Sequence, residues 1–123
     1  MVLINTSEWG QITIGLVTYK DAKACLDGHC EWNWNECGTN HRTGISLKAL
    51  SWLLNNQVHH LILSTGFHRA IQVNSSTVAY LDQLKSTGII DQYEYLDTKL
   101  AVGRYNHLIK SGVSAGILIH STC

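Results

Sequence analysis

The chain ends with DTKLAVGRYNHLIKSG, from Asp97 to Gly112, and VSAGILIHSTC, from Val113 to Cys123. The first segment has the apolar spacing of an amphipathic helix, and Gly112 is a natural terminator. The second is almost wholly apolar, which predicts a strand from Val113 to Ile119 inside a sheet covered on both faces. The rest of the chain must therefore supply the neighbouring strands and both covering layers.

The length and composition are typical of one compact domain over residues 1–123. The chain has ten glycines and no proline, and a domain of this size buries roughly two thirds of its unfolded surface. Lysine plus arginine and aspartate plus glutamate number nine each, with the basic residues scattered singly. We therefore expect no nucleic-acid partner and no membrane partner, whereas the oligomeric state stays open.

The cysteine pattern and the hydropathy indicate a cytoplasmic protein. Four cysteines in a chain with a sizeable core and no secretory signal fit reduced thiols better than a disulfide framework. No apolar stretch approaches the length that spans a bilayer.

The first part of the chain has the pattern of antiparallel strands. WGQITI, from Trp9 to Ile14, alternates with the period of a half-buried strand, and Leu16–Leu26 is again extended in character. Asp27-Gly28 is the strongest hairpin signal in the sequence.

Helices and strands then alternate to the end of the chain. Ser46 predicts the N-cap of a helix that Asn55-Asn56 terminates, and a short apolar strand covers Leu61–Leu63. A second helix is predicted from Ser75 or Ser76 to Gly88, and a strand from Ile89 to Leu96. The predicted inward faces of the last two helices are Val78, Leu81 and Leu84, and then Leu100, Ala101, Tyr105, Leu108 and Ile109. This order predicts an α/β fold with a mixed sheet and right-handed parallel crossovers.

Several motifs resemble those of a known family. They are W-G-Q-I-T-I, T-Y-K-D, W-N-W, G-T-N-H, S-S-T-V-x-Y-L, A-V-x-x-Y-N-x-L and the final H-S-T-C. Their identity and spacing, from about Trp9 to Cys123, are similar to the Mth938-like domain family. This family of unknown function has an adipogenesis-associated branch and a more distant mitochondrial complex I assembly factor.

The resemblance implies a three-layer fold in which a central mixed β-sheet is covered by helices, with a small extra β-hairpin layer. It also implies a cytoplasmic location and an association with fat-cell differentiation, and it supplies no catalytic residue. Bacterial and archaeal relatives carry a G-T-G turn after the strand that matches Leu61–Leu63. Here the turn is Ser64-Thr65-Gly66, which weakens the expectation that it wraps a phosphate.

The same turn belongs to the binding site that the sequence favours most. Backbone amides near Thr65 and Gly66 could face an anion at the carboxyl edge of the sheet, and Thr98 begins a helix at the same edge. We predict a ligand cleft formed by Thr65, Gly66, Thr98, Tyr105 and Asn106. The alternative is that Gly66 and Thr98 only shape a turn and a cap.

Catalytic motifs are weak. Gly112–Gly116 matches G-x-S-x-G, but a nucleophile elbow needs a strand before Ser114 and a helix after it, and here the order is reversed. His120 and Cys123 could form a thiol couple, although an unreactive terminus is the commoner case. We expect no catalytic residue and no cofactor.

A metal site is also disfavoured. The cysteines Cys25, Cys30 and Cys37, with His41 and His29 nearby, could surround zinc. Structural zinc prefers cysteine pairs two to four residues apart, and here the first two lie on opposite arms of a hairpin. We therefore predict no metal.

The tryptophans suggest a different role. Trp32 and Trp34 share one face of a strand before the polar loop 35–44. If the chain does not cover this face, it marks a protein partner site, and otherwise it is core. We expect a non-enzymatic interaction or regulatory domain using this face and loop, with a small-molecule or anion-binding protein or enzyme at the Thr65 cleft as the alternative.

Overall fold

The computed structural model describes residues 1–33, 44–68 and 72–122. Residues of the predicted sites that fall outside these ranges are Trp34, Cys37, His41, Cys123 and positions 35–43 of the polar loop.

The described residues form short strands in the first part of the chain and alternating helices and strands in the second. The strands are β1 (Thr6–Glu8), β2 (Gln11–Ile14), β3 (Val17–Tyr19), β4 (Ala22–Cys25), β5 (Gly28–Glu31), β6 (His60–Ser64), β7 (Gln92–Leu96) and β8 (Ala115–Ile119). The α-helices are α1 (Ser51–Asn55), α2 (Ser75–Ser86) and α3 (Thr98–Lys110), and a 3₁₀ turn, Leu47–Leu50, leads into α1.

Two sheets organise the molecule. Strands β1, β2 and β3 form an antiparallel meander, and the main sheet has the strand order β5-β4-β8-β6-β7. Strand β6 runs parallel to both β8 and β7, whereas β4 runs antiparallel to β8 and β5. The predicted α/β class with a mixed central sheet is confirmed.

The predicted interior position of the last strand is confirmed as well. Strand β8 pairs with β4 on one side, where Ala24 faces Ile117, and with β6 on the other, where Ile62 faces Ile117. All five residues from Ala115 to Ile119 are buried. His120 comes directly after β8, and Ser64 is the last residue of β6. Because the two strands are parallel, both residues lie at the same edge of the sheet.

The two faces of the main sheet carry different layers. On one face, Ile62 and Ile117 pack with Tyr105 of α3 and with Ile12 of the meander. On the opposite face, Leu61 and Leu118 pack with the 3₁₀ turn, α1 and α2. The crossover through α2 leads from β6 to β7, and the one through α3 returns past β6 to β8. Both crossovers are expected to be right-handed, but they move in opposite directions across the sheet. Their helices, α2 and α3, therefore lie on opposite faces.

The main differences from the sequence predictions lie in the first strands. Leu16–Leu26 is two strands in separate sheets, because Lys20 and Asp21 form a bend between β3 and β4. The Asp27-Gly28 hairpin exists, but β4 and β5 belong to the main sheet and the extra layer is the β1–β3 meander. Trp9 lies in the turn before β2 rather than in a strand.

The ends of the helices also differ in detail. Ser46 makes no side-chain capping bond, and the left-handed residue after α1 is Gln57 (φ 58°) rather than an asparagine. The Asn74 side chain accepts a hydrogen bond from Ser76 N and caps α2, so the predicted serine cap is wrong by one or two positions. Leu100 was expected to face inward but is 53% exposed.

Candidate functional site

The predicted cleft residues Thr65, Gly66 and Thr98 do meet at the carboxyl edge of the sheet. The chain leaves β6 toward α2 on one face and leaves β7 toward α3 on the other. Such a divergence between neighbouring parallel strands is where open α/β sheets bind ligands. Here, however, Thr65 N donates to Leu96 O at 2.9 Å and Thr98 N donates to Gly66 O at 3.0 Å. These two amides therefore join the loops to each other.

The hydroxyl of Thr98 is also engaged inside the protein. Thr98 is fully buried, and its Oγ1 donates to His120 O at 2.6 Å and lies 2.8 Å from Ser64 Oγ. The same serine oxygen accepts a hydrogen bond from His120 N at 3.2 Å. At the start of α3, the Asp97 carboxylate accepts from Leu100 N, so a negative charge occupies the positive end of the helix. This arrangement fastens α3 to the ends of β6 and β8.

Tyr105 and Asn106 lie further along α3, against the N-terminal segment. Tyr105 OH donates to Val2 O at 2.8 Å, and burial raises the pKa of this phenol. The Asn106 side chain donates to Ile4 O and accepts from Ile4 N, each at 2.9 Å. Tyr105 is about 10 Å along the helix axis from Thr98. The five predicted residues thus form two groups, and their ligand-binding role stays a prediction.

A buried histidine and carboxylate lie beside Thr98, and the sequence reasoning missed the carboxylate. His120 Nδ1 lies 3.1 and 3.2 Å from the two carboxylate oxygens of Asp21, which also accepts a hydrogen bond from Ser121 N at 2.9 Å. Both residues are buried. An orienting carboxylate on Nδ1 is what a general base requires, but solvent hardly reaches this imidazole. The pair instead secures the end of β8 to the bend before β4.

A second polar cluster crosses the sheet under α3. Glu94 Oε2 lies 2.5 Å from His60 Nε2 and 3.1 Å from Arg104 Nε. Burial alone would raise the pKa of Glu94, but the hydrogen bonds from His60 and Arg104 outweigh this effect and hold the pKa below its ordinary value. Glu94 therefore links β7 to β6 through His60 and to α3 through Arg104.

The cysteines in the described ranges do not converge on a metal site. Cys30 faces Lys23 across the β4–β5 ladder, whereas Cys25 faces Gly28 and is buried in the core. Burial raises the pKa of the Cys30 thiol, which disfavours the thiolate. Among the described residues there is no group of three or more His, Cys, Asp or Glu that could hold a metal ion.

Two further sequence candidates have clear positions. Ser114 precedes β8, and its Oγ donates to Gln57 O at 3.1 Å, which agrees with a backbone-bonded serine. Trp32 is only 3% exposed and packs in the core with α1 and α2. The predicted tryptophan partner surface therefore depends on Trp34 and the loop, outside the described residues, and stays a prediction.

The amino edge of the sheet carries a pocket that the sequence reasoning did not find. Its volume is about 390 Å³, and it lies between the end of α1 and the end of α2, beside the start of β6. It is lined by Leu54, Gln57, Val58, His59, Tyr80, Leu84 and Ile89. The available signal was weak, because these residues come from two separate stretches of the sequence, 54–59 and 80–89. Only Ile89 departs from the predicted pattern, since it lies outside β7 and is 57% exposed.

A smaller depression lies on the side of the meander. Its volume is about 330 Å³, and it is lined by Met1, Val2, Leu3, Asn5, Ile14, Gly15 and His29. Its polar side chains have partners inside the protein. Asn5 Oδ1 accepts a hydrogen bond from Gly15 N, and His29 Nδ1 lies 2.8 Å from Tyr19 OH. The surface of this depression is mixed, with more apolar than polar area.

The described helices include none that is long and apolar enough to cross a membrane. The fold itself identifies the class of protein, a Mth938-like α/β domain. It is similar to the solved structure called MT938, with 20% identity, a TM-score of 0.75 and full coverage of both chains. It is also similar to conserved hypothetical protein PH1505 from Pyrococcus horikoshii OT3, with 17% identity, a TM-score of 0.77 and 98% of each chain covered.

A third similar structure is the solution structure of a Bordetella pertussis protein that is described as a Mth938-like domain. The identity is 16%, the TM-score is 0.70, and the match covers 98% of this chain and 85% of that one. A family model described as "Protein of unknown function (DUF498/DUF598)" matches residues 4–120. The chain belongs to this family, which agrees with the resemblance seen in its motifs.

Proposed function

We propose that the protein is a non-enzymatic regulatory domain of the cytosol that acts by binding another protein. The observation that supports this proposal most directly is the apolar tip of the meander. Leu16, in the turn between β2 and β3, is fully exposed, and Val17 beside it is 43% exposed. A large aliphatic side chain at the tip of a turn has no role in the protein's own core, whereas clustered apolar surface marks protein contacts.

The surroundings of this tip are suited to a protein contact. Gly15, which precedes Leu16, lines the depression beside the meander together with Met1, and Met1 is itself strongly exposed. In contrast, the polar groups of Thr98, Tyr105 and Asp21 make hydrogen bonds inside the domain. Groups that hold the fold together are not available for chemistry on a substrate, and this favours a binding function over an enzymatic one.

The test compares capture of partners by the wild type and by Leu16→Glu. Leu100→Glu on α3 is the matched control, because Leu100 is also exposed but is not part of the meander. Partners are captured by crosslinking. We expect Leu16→Glu to lose partners that the wild type and Leu100→Glu retain. Trp34→Ala tests the second surface, which was predicted from the sequence. The proposal would be contradicted if the wild type, Leu16→Glu and Trp34→Ala all captured the same partners.

The family resemblance extends this proposal to fat-cell differentiation. In preadipocytes depleted of the protein, re-expressed wild type should restore lipid accumulation and Leu16→Glu should not, at equal protein levels. Equal rescue by both would separate the meander tip from any such role.

The second candidate function is a small-molecule or anion-binding protein, or an enzyme, at Thr65, Gly66, Thr98 and Tyr105. The position where loops diverge from β6 and β7 favours it. A metabolite that raises the melting temperature in proportion to its concentration, with the effect lost in Thr65→Val, would support this function. Thr65 is the variant of choice, because Thr98 and Tyr105 are fully buried and their substitution would also perturb the fold.

A further inference from the structure

One wall of the amino-edge pocket, Gln57 to His59, is held in place by backbone and side-chain hydrogen bonds. Ser114 Oγ donates to Gln57 O at 3.1 Å, and His59 N donates to Ser114 O at 2.9 Å. The carbonyl of His59 accepts from Asp91 N at 2.7 Å. Between these residues, Val58 is buried and packs against Gly116. This wall of the pocket is therefore preformed.

The opposite wall is formed by the end of α2. Ile89 N donates to Leu84 O at 3.0 Å and Gly88 N donates to Lys85 O at 3.2 Å, with Gly88 at φ 81°. This is the Schellman pattern, which fixes the residue after the glycine against the last turn of the helix. It places Ile89 beside Leu84, while Tyr80 lies one turn earlier on the same side of α2. The apolar mouth of the pocket thus has a fixed shape.

Gln57, which follows the end of α1, has an unusual backbone conformation for a residue other than glycine. Its φ of 58° is in the left-handed region, which glycine adopts freely and a long side chain adopts only with strain. Glycine would terminate the helix without this strain but would supply no side chain. Gln57 instead provides a carboxamide at the rim of the pocket. Strained residues that persist in a fold are often found at ligand sites.

The lining defines the chemistry of the ligand. Of the seven described residues that line it, five are apolar or aromatic, and the other two are Gln57 and His59. The described residues of the lining include no lysine, arginine or carboxylate side chain, so none of them compensates a formal charge on a ligand. A volume of about 390 Å³ lies at the lower end of the range for small-molecule sites.

We propose that this pocket binds a neutral, largely apolar small molecule with one hydrogen-bonding group, which Gln57 and His59 recognise. The apolar part of the ligand contacts Val58, Leu84 and Ile89, and the hydrogen-bonding group lies at the rim. This site is on the edge of the sheet opposite the predicted cleft and is separate from the tip at Leu16. It therefore goes beyond the proposed protein-binding function and can fail independently of it.

The probe for the test is prodan, a neutral naphthalene ketone whose emission shifts to the blue in apolar surroundings. Titration of the wild type should give saturable one-to-one binding. Ile89→Asp should weaken it at least tenfold by placing a charge at the mouth, and Gln57→Gly should weaken it several-fold. Gln57→Gly should also raise the melting temperature, because it removes backbone strain. Leu100 is about as exposed as Ile89 but does not line the pocket. The Leu100→Asp variant should therefore bind prodan like the wild type.

The location is checked by amide chemical shifts in the same titration. The shifts should be largest at Val58, His59 and Ile89. No saturable binding, equal weakening by Leu100→Asp, or shifts centred on Thr65 and Gly66 would overturn the proposal. A concentration-dependent dimer that Ile89→Asp dissociates would overturn it too, because the pocket would then be an interface between two copies of the chain.

Discussion

Gly116 tests the packing of the central strand most directly, through the substitution Gly116→Ala. It lies on β8 in the interior of the main sheet, where a methyl group would point at α1 and the wall of the amino-edge pocket. A Cβ atom built there would lie 2.7 Å from Leu53 Cδ2 and 2.8 Å from Val58 Cγ2. Both distances are far below ordinary van der Waals contact. Both neighbours are themselves buried, so they have little room to move.

The magnitude follows from two opposing effects. Overpacking a filled core by a methyl group costs about 1–3 kcal/mol. Replacement of glycine by alanine reduces the entropy of the unfolded chain, which returns about 0.4–1 kcal/mol. We expect Gly116→Ala to lower the free energy of unfolding by about 1–2 kcal/mol. At about 3–4 °C per kcal/mol for a domain of this size, the melting temperature should fall by roughly 3–8 °C.

The chain offers a matched control, Gly103→Ala. Gly103 is an exposed residue within α3, and a Cβ atom there would meet nothing within 4 Å. The same substitution should therefore stabilise the protein by about 0.5–1 kcal/mol through helix propensity. Urea unfolding followed by circular dichroism, with equal m-values, measures both variants.

We expect Gly116→Ala to lower the free energy of unfolding and Gly103→Ala to raise it. A Gly116→Ala protein as stable as the wild type would refute the close contact between β8 and α1. The double variant Gly116→Ala/Val58→Ala adds a further check, because removal of the Val58 methyl groups relieves part of the clash. Its destabilisation should be smaller than the sum of the two single effects.

Three other variants test the polar contacts. Thr98→Val should destabilise the protein by about 1–3 kcal/mol in urea unfolding, since it removes the hydroxyl that donates to the buried His120 O and lies in hydrogen-bond contact with Ser64 Oγ. Tyr105→Phe should cost about 0.5–1.5 kcal/mol and speed amide exchange in the N-terminal segment, because the bond to Val2 O is lost. The lowered pKa of Glu94 means that its contribution is complete above its ordinary value of 4.5 and is lost as the pH falls through the pKa of the folded state. Glu94→Gln should therefore flatten the decline of stability below about pH 4.5, and an unchanged acid profile would contradict this role.

The main architecture could be predicted from local patterns. The apolar run after Gly112 can only be stable inside a sheet, and glycines at Gly88 and Gly112 do terminate helices with positive φ. Such features are encoded in a few neighbouring residues. Leu100 shows the limit of this reasoning, since its spacing matched the inward face but it is 53% exposed, whereas Thr98 and Ala101 beside it are buried.

The contacts at the sheet edges could not be predicted, because they join residues far apart in the sequence. Asp21 and His120 are 99 positions apart, and nothing in either local pattern indicates the other. Thr98 was chosen correctly as a residue at the carboxyl edge. Its bond to His120 O, however, depends on the pairing of β8 with β6, which no local pattern around Thr98 indicates. The same applies to Trp32, whose burial depends on the helices that cover β4 and β5.

The two edges of the main sheet differ because of how the helices begin and end. At the carboxyl edge, Ser64, Thr98 and His120 fasten the strand ends to α3, and their hydrogen-bonding groups are consumed in doing so. At the amino edge, α1 is only five residues long and ends before it reaches α2. A short helix leaves a gap that the side chains of Gln57 and Ile89 border but do not fill. The ligand-binding role predicted for the carboxyl edge stays a prediction, and we expect binding of a small molecule at the opening between α1 and α2 to disturb fewer of the hydrogen bonds that hold the fold together.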